Sequence, residues 1–79
     1  MSDIELSVAV HIDVPKHQSI LVSDTGESKD AKWIPRSLIK SFHLTGKTTR
    51  GVDRDGQVVV LPMAVLEIPE WKARQEGLI

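Results

Sequence analysis

A chain of 79 residues supports one domain around one modest core, with no length left for a second. The absence of cysteine excludes a disulfide framework and thiolate metal sites. The net charge of −1 excludes neither an acidic nor a basic partner, because it averages over segments of opposite sign.

The opening Met1-Ser2-Asp3-Ile4-Glu5 lacks the basic start and apolar run of a secretory signal, which points to a cytoplasmic protein. Residues 4–14 then alternate without a fault. Ile4, Leu6, Val8, Val10, Ile12 and Val14 fall on one side, and Glu5, Ser7, Ala9, His11 and Asp13 on the other. Side chains of a strand switch faces at every residue, so this pattern predicts a half-buried β-strand. At about 3.3 Å per residue it is too long to stay flat in so small a domain, and it is expected to bend as a curled sheet or barrel requires.

Pro15-Lys16-His17-Gln18 reads as a turn, and Ser19 to Ser23 as a returning strand. The polar, glycine-containing stretch from Asp24 to Asp30 is a surface loop. A brief strand from Ala31 to Ile34 stops at Pro35, which suits the start of a helical turn over Arg36 to Ile39. Asp55-Gly56 reads as a type I′ hairpin pair joining a strand within residues 41–54 to one from Gln57 to about Ile68. Gly46 and Gly51 are expected to mark bulges, and Pro62 a bulge or a sheet edge. A helix over residues 69–76 closes the chain, with Pro69 and Glu70 at its start and Gly77 at its stop. Trp71 and Leu78 are expected to pin it, and Trp33 and Trp71 to seal the core. The fold class is therefore mostly β: a single domain, residues 1–79, with a small curled antiparallel sheet or barrel-like fold and a short C-terminal helix. The longest apolar run, Val58 to Leu66, is too short to span a bilayer and is broken by Pro62, so no membrane partner is expected.

No catalytic constellation emerges. Gly46-Lys47-Thr48 matches only the end of a phosphate-binding loop, with Ser41 where the first glycine belongs and no helix to follow. Asp53-Arg54-Asp55-Gly56 has too few acids at the spacing of a calcium loop. His11, His17 and His43 show no ligand spacing, and no serine lies in a nucleophile motif. The expectation is a non-enzymatic chain without metal or cofactor, with His11 exposed on the polar side of its strand.

The charge distribution supplies the main functional clue. Residues 1–31 carry six acids against two bases, and residues 55–79 four acids against two bases. Between them, residues 32–54 carry six bases against Asp53 alone. If the sheet gathers them, Lys32, Trp33, Arg36, Lys40, Phe42, Lys47, Arg50 and Arg54 form a positive binding face. Such a face suits nucleic-acid phosphates or an acidic protein surface. Only Phe42 and Trp33 are near enough in sequence to stack on bases.

Two segments carry a resemblance. Ala31-Lys32-Trp33-Ile34-Pro35-Arg36-Ser37-Leu38-Ile39 is similar to a W-[IV]-P-[KR]-S-x-[IV] segment. The stretch from Ile68 to Leu78 is similar to an I-P-x-W-x-A-x-x-x-G-L ending. Together they resemble short bacteriophage and prophage proteins, whose members often carry an apolar residue in place of Lys72. The resemblance implies a phage or mobile-element origin, a compact β fold with a terminal helix, and no catalytic residue. The expected function is an accessory protein that binds, and inhibits, a host protein or protein–nucleic acid complex such as a defence system. The alternatives are a small nucleic-acid-binding protein using the same basic face, and a self-assembling structural protein, a homo-oligomer.

Overall fold

The structure, a computed structural model, describes residues 2–79; Met1, part of the opening run above, lies outside the described residues. Five strands, β1 (Asp3–Ile12), β2 (Ser19–Ser23), β3 (Lys32–Pro35), β4 (Ser41–Val52) and β5 (Val58–Pro69), precede one helix, α1 (Glu70–Gln75). The strands form one antiparallel sheet in the order β3-β2-β1-β5-β4. The first and last strands thus lie side by side, from Asp3 opposite Pro69 to Ala9 opposite Met63. A single parallel bridge, Glu27 to Val52, draws the loop after β2 toward β4, but the sheet stays open and no barrel forms.

One face of the sheet carries the core. Val8, Val10, Ile20, Val22, Ile34, Ala64, Leu66 and Ile68 are buried there beneath Ala73 and Leu78 of the C-terminal segment. Strand pairing explains their assembly, because antiparallel partners share a face: Val8 lies opposite Ala64, Val10 opposite Val22, and Ile20 opposite Ile34. Ile4, Leu6, Ile39 and Phe42 pack around this cluster. α1 ends in a Schellman cap. Gly77, at φ +72°, donates its N–H to Arg74, and Leu78 donates to Ala73 at 2.9 Å. That cap turns Leu78 inward beside Ala73.

The tryptophans do not seal the core: Trp33 is 47% and Trp71 44% exposed, and it is Ala73 and Leu78 that anchor the helix. Trp33 lies opposite Leu21 on the face away from the core, because Ile20 and Ile34 take the inward positions of that pair of strands. Lys72 lays its stem along the protein and meets Glu76 at 3.7 Å, which accommodates a charged residue there.

The expected bend in β1 is a bulge at His11, where pairing slips from Val10 opposite Val22 to Ile12 opposite Leu21. The slip turns Ile12 away from the core face that its alternation with Val10 predicts. The Asp55-Gly56 turn is not type I′, because only Gly56 has positive φ (+83°). Gly56 N–H instead closes on Asp53 C=O at 3.1 Å around Arg54 and Asp55, and Asp53 N–H donates to Gln57 C=O at 2.9 Å. This is a type I turn followed by a left-handed glycine. The Asp53 carboxylate stabilises it by accepting from the N–H groups of Asp55 and Gln57, both at 2.9 Å. Gly46, at φ +84°, does mark a bulge, since residues 45–47 of β4 stand against Met63 alone. Gly51 marks none. It is regularly paired with Val59, and its missing side chain makes room for the backbone of Gly26.

Candidate partner-binding site

The sheet order separates the eight residues expected to form one basic face. Lys32 and Trp33 sit on β3 at one edge, whereas Lys47 and Arg50 sit on β4 at the other, with three strands between. Arg36 is occupied by structure: its guanidinium reaches Asp13 Oδ1 at 2.7 Å, His17 C=O at 2.7 Å and Val14 C=O at 3.0 Å. It clamps the β1–β2 turn onto the 3-10 turn Arg36–Leu38. Lys40 is exposed where that turn enters β4, and its backbone N–H bonds Glu67 C=O at 2.8 Å. Phe42 packs against the core opposite Leu66 and has no free ring face for stacking on bases. The single positive face is therefore divided, because β3 and β4 follow one another in sequence but are opposite edges of the sheet.

What the structure does bring together is an arm. The strands β4 and β5 are 12 residues each, which at about 3.3 Å per residue sets the 38 Å long axis of the molecule. β1 accompanies β5 only from Met63 onward, so the hairpin part from Thr48 to Pro62 projects beyond the core. On this arm Val52 pairs with Val58, Arg50 with Val60 and Thr48 with Pro62. These positions continue the core face of Ala64 and Leu66 past the end of the covering helix. Val58 is 67% and Val60 69% exposed, and Leu44 extends the apolar strip. Lys47, Arg50 and Arg54 stand around it exposed, and none forms an ion pair with a described residue.

The opposite face of the arm holds Val59 and Leu61 (8% exposed). Across it runs the loop after β2, where Gly26 C=O accepts the N–H of Val52 at 3.0 Å. Between this loop, the β1–β2 end and the arm lies a cavity of about 270 Å³ with an apolar floor of Ile12, Leu21, Val59 and Leu61. His11, Asp53 and Arg54 edge it. His11 is not the freely exposed group that alternation suggests. The bulge directs it to fully buried Ser23, with Nε2 and Oγ 2.7 Å apart. Ser23 Oγ already accepts Gly26 N–H at 2.9 Å, so its own proton goes to Nε2 and the imidazole carries its proton on Nδ1. Burial pushes the His11 pKa below its ordinary value.

The exposed valines escape a sequence reading because Val58 to Leu66 looks like one buried run. The available signal is Pro62, which divides the run into a paired half and an unpaired half. Among the described residues no three His, Asp or Glu side chains gather as a metal site, and no helix is long and apolar enough to cross a membrane. No protein-family model, curated protein or solved structure matches the chain, so a functional reading rests on this geometry.

Proposed function

We propose that this chain is a non-enzymatic accessory protein that grips a macromolecular partner with its β4–β5 arm and blocks that partner's action. The supporting observation is the pair Val58 and Val60, two-thirds exposed on one strand face and flanked by the unpaired Arg50. Single exposed apolar residues are ordinary, but alternate valines and Leu44 along one face form a patch that folding alone does not require. An apolar strip rimmed by bases suits a protein surface with an apolar centre and an acidic border. The resemblance of the Trp33 and Trp71 segments to phage-encoded proteins fits a role against a host complex. The test is cross-linking from a photoreactive residue at position 44 in host extract, comparing the wild-type arm with Val58→Asp/Val60→Asp. A discrete adduct that the double variant loses supports the reading; identical adducts from both overturn it.

A second reading, nucleic-acid binding by Lys47, Arg50 and Arg54, draws on their exposure and lack of ion-pair partners. It would show as affinity for a single-stranded oligonucleotide that falls steeply with salt. Phe42 is engaged in packing, which leaves the arm without a stacking platform and favours the protein partner.

A further inference from the structure

The backbone of the arm specifies how a partner attaches. Gln57 C=O accepts from Asp53 N–H at 2.9 Å, and Glu67 C=O accepts from Lys40 N–H at 2.8 Å. Both carbonyls point to the β4 side, so odd-numbered residues along β5 turn their backbone groups to β4 and even-numbered residues turn theirs to β1. Glu70 N–H, which bonds Ser2 C=O at 3.0 Å, obeys the same parity. β1 stops pairing at Ala9 opposite Met63. Pro62 is the next even position, and it has no N–H to offer a neighbour there. Below it, the N–H and C=O groups of Val58 and Val60 face a side that no strand occupies.

That open edge adjoins the cavity floored by Ile12, Leu21, Val59 and Leu61. Resting on the arm as the docking site, we propose that the partner contributes an extended segment that adds as a strand to the β5 edge at Val58–Val60. Alternate side chains of such a segment separate onto two faces. One set enters the apolar cavity, whose volume suits about one large side chain. The other set lies beside Val58 and Val60. Arg54 at the cavity rim has no partner, while the Asp53 carboxylate is engaged by Asp55 and Gln57 N–H. The rim therefore offers an uncompensated cation, and the fitting segment alternates β-branched or aromatic residues and carries a carboxylate. Backbone hydrogen bonds supply the affinity in this mode and the alternate pockets its specificity.

The test begins with the partner-free protein. In hydrogen exchange read by NMR, the amides of Val58 and Val60 exchange freely while those of Val59 and Leu61 are protected. The probe is a synthetic peptide, acetyl-Glu-Val-Thr-Val-Thr-Val-Asp-amide, with a copy N-methylated at alternate residues. The parent peptide slows exchange at Val58 and Val60 by about tenfold or more, and the N-methylated copy does not. Val60→Pro, which removes only an outward-facing N–H, abolishes the effect, and Arg54→Glu weakens it. Unchanged exchange at Val60 under saturating peptide overturns the proposal. Equal binding of both peptides, with Val60→Pro harmless but Val60→Asp disruptive, also overturns it while leaving face-on docking by the arm intact. Prior protection of Val60 in a species that is dimeric by light scattering assigns the edge to a second copy and likewise overturns it. The N-methylated peptide keeps the test decisive if Val60→Pro fails to fold.

Discussion

Gly51 on β4 lies directly under the backbone of Gly26, so that a methyl group on Gly51 would collide with the Gly26 carbonyl and with Leu61 Cδ1. A methyl on Gly26 would lie 2.8 Å from the Arg50 carbonyl, on a residue already at φ +87°. The two glycines therefore hold the loop after β2 across the arm, where Gly26 also accepts the Val52 N–H.

Gly51→Ala and Gly26→Ala are each expected to destabilise the fold by about 2–4 kcal/mol, through overpacking against backbone that has little room to yield. Gly56→Ala, at φ +83° but in open space, should cost only the left-handed penalty of about 1–2 kcal/mol. Urea midpoints of the three variants separate crowding from backbone strain. Similar losses in all three would show that the Gly26–Gly51 crossing contributes nothing of its own.

The core and the tryptophans should respond oppositely to truncation. Leu66→Ala and Ile34→Ala remove fully buried side chains and are expected to cost about 2–5 kcal/mol each. Trp33→Ala and Trp71→Ala should cost about 1 kcal/mol or less, because much of each ring is already in water. Thermal or chemical denaturation followed by circular dichroism measures both sets. A large loss at either tryptophan would contradict its placement.

His11 predicts a pH dependence with a definite sign. Burial lowers its pKa from 6.5 in the folded chain, so the unfolded chain binds the proton more readily. The stability tied to neutral His11 is fully present above pH 6.5 and declines as the pH falls from there through the folded value. A protonated ring would also leave the Ser23 hydroxyl without its acceptor in a buried site. Asp53 and Arg54, of opposite charge, are the ionised groups edging the same cavity. Melting temperatures from pH 8 to pH 5 should fall less steeply in His11→Gln than in wild type; parallel curves would remove His11 from the account.

Arg36→Ala is expected to loosen the β1–β2 turn at a cost of about 1–2 kcal/mol, since three hydrogen bonds, one of them to Asp13, end on one half-exposed guanidinium. Arg36→Lys should recover little, because a single ammonium cannot reproduce the fork. Partner binding by the arm should survive both substitutions, which a binding assay on the folded variants checks.

Short-range pattern carried most of the fold. The alternation from Ile4 to Val10, the strand Ser19 to Ser23, the turn after Pro35 and the Gly77 stop all appear where their residues place them. What needed coordinates was the order of strands. Arg36 meets Asp13, 23 residues earlier, and so leaves the basic set that sequence proximity assigns it to. His11 and Ile12 were misplaced for a local reason: one bulge residue reverses the parity of everything after it, and nothing in Val10-His11-Ile12 signals a bulge. Val58 and Val60 read as core because hydrophobicity cannot reveal that the covering helix ends short of them.

The pairing of Asp3–Ala9 with Met63–Pro69 also has a temporal side. A ribosome emits the first of these segments while the second is still unmade, so β1 must wait for nearly all of translation before its central neighbour exists. The β4–β5 hairpin, by contrast, can zip from its own tight turn as soon as it emerges. Nascent chains stalled before Leu61 should therefore hold β1 exposed to chaperones, and release of the last twenty or so codons is the step that commits the sheet.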